Sequence, residues 1–221
     1  MKIHDYEKAK ACLDRARKIQ GFDESLFHAI HLLKIEEEGV FAGQSFRAKF
    51  GRYDVITDVS QEFANEVAQF MDKVYKDYVK VFPYKKNETL RFHVKVFATE
   101  SGFDSYTKRV TGRSIFDGMG KMLAWYMPIT KELVGWKDKE LFRTMTHEGL
   151  HQYIDYFVDQ CPMWFNEGYA CYFETSTSEE AKFNENRHQT AKYALGLKKF
   201  VSLRELLLMN RQQWDAGGEA V

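Results

Sequence analysis

The sequence predicts an α+β fold: a small mixed sheet with an edge strand packed on the helix that carries His147-Glu148-Gly149-Leu150-His151. A mostly helical C-terminal part follows, and a short helical segment precedes it. Three patterns lead there. Apolar residues recur at helical spacing between Ser60 and Val81, they alternate with polar ones around Phe92 to Ala98, and helical patterns follow one another from about Asp138 onward.

Taken in order, the first forty residues read as two amphipathic helices, roughly 6–19 and 24–38, with Gly21 between them and Gly39 as a helix stop. Residues 1–45 are therefore expected to form a helical N-terminal segment, which could serve a protein partner, ahead of a main domain at 46–221. His28 and His31 lie three apart and read as surface histidines, because no cysteine or carboxylate at ligand spacing accompanies them. Tyr53-Asp54-Val55-Ile56-Thr57 reads as a short strand. Asp58 or Ser60 then caps a helix running to about Val81, with Phe63, Val67, Phe70, Val74 and Tyr78 as its buried stripe.

Phe92, Val94, Val96 and Ala98 alternate with Arg91, His93 and Lys95, which predicts a strand with one buried face. Residues 112–127 read as a hairpin turning near Gly118-Met119-Gly120, with Met122–Met127 as its second strand. Helices are expected at about 138–157, 162–174, 179–195 and 203–214, the last opened by a Ser202/Glu205 capping box.

Composition narrows the function classes. A hydrophobic share of 44% and an aromatic share of 15% suit a globular protein, and 32 basic against 32 acidic residues give a formal net charge of zero. That balance argues against a dedicated nucleic-acid binder or a polybasic membrane module, since both need a positive excess. No apolar run approaches the roughly 18 residues that span a bilayer. The first residues lack the apolar stretch of a signal peptide, although the chain could be a domain of a longer, exported protein, and the compartment stays open. Cys12, Cys161 and Cys171 show no metal-ligand spacing and are expected as free thiols, with a Cys161–Cys171 bridge as the alternative.

The informative segment is the His147–His151 run. On a helix, residues four apart sit about 40° apart around the axis, so both imidazoles can face one ion. Glu148, about 100° from His147, is turned away from that ligand pair but can hydrogen-bond a water held by the ion. Phe142, Met145, Gly149, Tyr153 and Phe157 form the apolar face that anchors the helix. A catalytic zinc site needs a third protein ligand, and Glu167, in the run Pro162-Met163-Trp164-Phe165-Asn166-Glu167-Gly168-Tyr169-Ala170, is the candidate on a second packed helix.

These motifs, an H-E-x-x-H helix, a short loop and a second helix carrying W-x-x-E-G-x-A, resemble the gluzincin clan of zinc metallopeptidases. Within it the chain most resembles the peptidase-MA-like group, including poorly characterised bacterial members with a short spacer. The similarity extends from about Tyr53 to Trp214 and includes T-D-x-S-x-E-x-A at Thr57 to Ala64. The resemblance implies one zinc ion per chain, His147, His151 and Glu167 as its ligands, and Glu148 as general base. It implies hydrolysis of peptide bonds. Two departures stand out: Cys171 replaces an acidic residue common in the family, and the chain stops soon after Trp214, where relatives continue, so a minimal or truncated domain is expected.

With that departure, Glu174 and Asp155 are candidates to support the histidines from behind. Tyr126, Tyr172 and His188 are candidates for stabilising a developing oxyanion. A peptide or protein substrate could pair with the edge of Met122–Met127 as an added strand. Two other readings stay open: a catalytically silent zinc- or peptide-binding module of the same fold, and a zinc amidase acting on a small or cell-wall peptide.

Overall fold

The computed structural model describes residues 31–36, 38–84, 90–117, 122–158, 161–197, 200–210 and 212–214, together with residues 8, 11 and 15. Five strands form one mixed sheet: β1 (Phe46–Phe50), β2 (Tyr53–Thr57), β3 (Phe92–Phe97), β4 (Ala124–Met127) and β5 (Glu132–Trp136), in the spatial order β1-β2-β3-β5-β4. The central pairs β2/β3 and β3/β5 are parallel, while the outer pairs β1/β2 and β4/β5 are antiparallel. The fold is therefore α+β with a mixed sheet and a helical C-terminal part, as the periodicities predict.

The hairpin β1/β2 closes with Phe50 opposite Tyr53. Gly51 takes φ +53 in that turn, where an added Cβ would lie 1.6 Å from the Asp72 carboxylate of the following helix. That helix, α1 (Gln61–Val81), starts at Ser60, whose hydroxyl accepts the amide of Phe63 at 3.1 Å. It buries Phe63, Val67, Met71, Val74 and Tyr78 against the sheet, whereas Phe70 is only partly covered.

Helices cover both faces of the sheet. On one face Tyr53, Val55, Phe92, Val94 and Leu133 pack with α1 and with α3 (Leu141–Ile154) and α4 (Met163–Phe173). On the other, Phe97 and Val134 pack with α2 (Glu100–Thr111) and with Leu32 and Ile35 of the helical residues 31–36. This second layer corrects the expectation that β3 has one buried face. Lys95 is buried too, and its ammonium is held by Glu132 at 2.9 Å, Glu36 at 2.5 Å and the Tyr106 hydroxyl at 2.9 Å. A buried charge is tolerated only when it is paired in this way.

The expected hairpin at 112–127 is also revised. Residues 100–111 are helical because Thr99 caps them and Phe103, Tyr106 and Val110 face the second core. Gly112, at φ 75, ends that helix rather than opening a hairpin. The real hairpin partner of the 122–127 segment is β5, reached through a turn in which Lys131, at φ 57, donates its amide to the Met127 carbonyl at 2.8 Å. The supposed turn at Gly118 to Gly120 lies outside the described residues, and of the first N-terminal helix only residues 8, 11 and 15 are described, each of them helical.

Later boundaries move inward. The helix expected at 179–195 is α5 (Glu185–Gly196), because Asn184 caps it. The helix expected at 203–214 is α6 (Leu203–Leu208), followed by a separate helical turn at 212–214, and its Ser202/Glu205 capping box is present. None of the helices among the described residues is long and apolar enough to cross a membrane.

One contact fixes how closely α3 approaches α1. A Cβ on Gly149 would lie 2.7 Å from Met71 Cε and 3.2 Å from the Tyr78 hydroxyl. Glycine permits that approach despite its low helix propensity. Gly149→Leu should therefore destabilise the fold by about 1–3 kcal/mol through overpacking, read as a lower denaturation midpoint in urea. A midpoint equal to that of the parent protein would show that this packing is not tight.

Candidate metal centre

The site is built on α3 and completed by α4. His147 and His151 lie one turn apart on α3, with ring centroids 4.9 Å apart and planes at 82°. The buried residues of the same helix (Met145, Gly149, Leu150 and Tyr153 among them) turn inward. The chain then reverses, and α4 begins after Pro162 and crosses back with Glu167 facing both rings.

Nε2 of His147 lies 3.4 Å from Glu167 Oε2, and Nε2 of His151 lies 3.6 Å from Glu167 Oε1. Donor atoms of the three side chains can be chosen within 4.8 Å of one another. Tetrahedral ligands bonded at 2.0–2.1 Å are about 3.3–3.5 Å apart, and each imidazole meets a different Glu167 oxygen at close to that distance. These three residues could hold a metal ion.

The rear nitrogens are occupied in a way that leaves Nε2 for that purpose. His147 Nδ1 is 2.9 Å from Glu174 Oε1, and His151 Nδ1 is 3.0 Å from Asn166 Oδ1. Both partners accept, so each Nδ1 carries the hydrogen, and each Nε2 offers its lone pair once it is deprotonated. Of the two carboxylates considered as supports, Glu174 backs His147. Asp155 instead takes the Tyr126 hydroxyl at 2.5 Å and the Lys131 ammonium. Asn166 is a functional neighbour that the sequence reading does not single out. Its signal is its place immediately before Glu167 on the ligand helix.

Glu148 sits apart from this ligand set, and its Oε2 accepts the backbone amide of Tyr126 at 3.0 Å. Burial pushes its carboxyl up from the ordinary carboxylate range, against the opposing pull of His151 and His147. A carboxyl whose charged form burial disfavours takes up a proton more readily than an exposed one. β4, which supplies that amide, is an edge strand of the sheet.

The cleft encloses about 430 Å³ and runs from His147 and Glu167 past Tyr126 and Asp155 toward Val158 and Met163. Of the three candidates for an oxyanion partner, Tyr126 lines it. Tyr172 is exposed and packs on Tyr169 and Phe173, and His188 packs on Phe183. Cys161, at the cleft wall, and Cys171 are free thiols.

Burial disfavours a charge on His147, yet its contacts with Cys171, Glu167 and Glu174 push its pKa up to about 11. Burial also disfavours a charge on Glu174, but bonds from His147 and Arg187 hold it down to about 2. The proton on His147 stabilises the metal-free fold; that contribution is full below the ordinary histidine pKa and falls away as pH rises toward about 11. A metal ion must displace the proton. Binding at pH 7 should therefore release about one proton per ion, with affinity increasing as pH rises. Calorimetric titration in buffers of different ionisation enthalpy measures this, and binding without proton release would refute it. Comparisons with known protein families, curated proteins and solved structures found no match to this chain.

Proposed function

We propose that this chain is a zinc-dependent metallopeptidase, with His147, His151 and Glu167 as ligands and Glu148 as general base. The observation that carries the reading is the pair of Nε2-to-carboxylate separations, 3.4 and 3.6 Å, with Glu148 held beside the same cleft by the β4 amide. Two neutral imidazoles and one carboxylate at tetrahedral spacing suit zinc, and the set leaves a coordination position open. Bound there, zinc would lower the pKa of a coordinated water toward about 7 and polarise a scissile carbonyl.

The chain's own groups account for the rest. Glu148 takes a proton from the attacking water as the new carbon–oxygen bond forms, and passes it to the amine as the carbon–nitrogen bond breaks. Glu174 and Asn166 keep the two rings facing the centre throughout. An extended peptide can pair with the outer edge of β4 as an added strand, displacing Glu148 from the Tyr126 amide. The Tyr126 amide lies in that strand and touches Glu148, so such a peptide would run beside the base.

Glu167→Ala should lose most of the zinc that elemental analysis finds in the parent protein. Full zinc occupancy in that variant would remove Glu167 from the ligand set. Glu148→Gln should retain zinc and lower turnover by about 10²- to 10⁴-fold in a broad peptide library. Zinc binding with no cleavage by the parent protein would favour a silent binding module. Cleavage confined to small or cell-wall peptides would favour an amidase.

A further inference from the structure

We propose that Arg187 of α5 is a positioning residue for the metal centre, orienting the His147 ring by clamping Glu174. Arg187 Nη2 lies 2.9 Å from Glu174 Oε1, the same oxygen that faces His147 Nδ1 at 2.9 Å. The three groups form one chain: guanidinium, carboxylate, ligand imidazole. Glu174 has a side chain only 7% exposed, so its charge needs a partner, whereas the Arg187 side chain is 57% exposed and reaches in from the surface.

The placement of Arg187 runs against local helix preference. Its amide is the one bonded by the Asn184 cap, at 3.2 Å, so it lies in the first turn of α5. Cations are disfavoured at the N-terminal end of a helix, where the dipole is positive. The Glu174 carboxylate outweighs that penalty. α5 has no buried residue, so apolar packing does not account for its alignment with the centre. Contact with Glu174 does.

An arginine here also holds Glu174 more firmly than the histidine alone. One carboxylate oxygen shared between two cationic or polar donors has little freedom to rotate, and the Nδ1 hydrogen of His147 is aimed along a single line. The effect on the centre is indirect. Arg187 hydrogen-bonds Glu174 and acts on Glu167 and Cys171 through its charge.

This inference rests on the metal centre and not on turnover, so metal affinity tests it. Zn²⁺ binding to the full chain is measured by competition with a chromophoric chelator, and the visible spectrum of the Co²⁺-loaded protein is recorded alongside. Arg187→Met should weaken Zn²⁺ about tenfold and alter the Co²⁺ spectrum, with Arg187→Lys restoring part of both. In a Glu174→Gln background, Arg187→Met should change the affinity by less than about twofold, because the coupling runs through that carboxylate. Equal losses in both backgrounds, or unchanged affinity and spectrum in Arg187→Met, would overturn the proposal. Absence of Zn²⁺ binding by the parent protein would instead remove the metal centre itself, which is a separate result. Should Arg187→Met fail to fold by circular dichroism, Arg187→Gln is read by the same criteria.

Discussion

The position of α3 is the constraint on which the rest of the molecule depends. Its fully buried Gln152 donates to the His93 carbonyl on β3 and to the Lys131 carbonyl just before β5, each at 3.0 Å. One side chain thus ties the helix to two neighbouring, parallel strands. From another direction Gly149 admits Met71 and Tyr78, and the Tyr78 hydroxyl donates to the carbonyl of Thr146, the residue before His147. The helix can neither slide along the sheet nor rotate without breaking these bonds. Both imidazoles therefore project from a frame that the hydrophobic core has already fixed.

The second half of the centre comes from a single following helix. α4 and its C-cap supply Asn166, Glu167 and Glu174: one carboxylate toward the front nitrogens and one acceptor for each rear nitrogen. Three carboxyl groups, Glu148, Glu167 and Glu174, thus gather around two imidazoles. In the metal-free protein the His147 proton and Arg187 offset part of that charge, and a bound dication would take the place of the proton.

The fold was legible where one residue pattern determined one element. The stripe of α1 and the four-residue spacing of His147 and His151 are local signals, and both survive intact. β5 was harder to read because Glu132 looks like a surface acid in the sequence and is buried only because Lys95 meets it from another strand. β1 exposes most of its residues and buries only Ala48, so its alternation is weak. In α2, Phe103, Tyr106 and Val110 do carry a helical spacing, but surrounding threonine, serine and glycine compete with it. At the site, Glu167 could be suspected from its helix, whereas the roles of Asn166 and Arg187 depend on how the chain turns back after Ile154. No sequence-local rule specifies that return.

The shape of α4 has a further consequence. The helix lacks a side-chain N-cap, and Phe165, Tyr169 and Phe173 hold it through ring contacts with Tyr78 of α1 and its C-cap residue Phe82. An ion shared by His147, His151 and Glu167 would act as a cross-link between α3 and α4. Any ligand that binds only the native state stabilises it by mass action, by about 2.7 kcal/mol at a hundredfold excess over its dissociation constant. The stability of the α3–α4 pairing would then follow the supply of free metal.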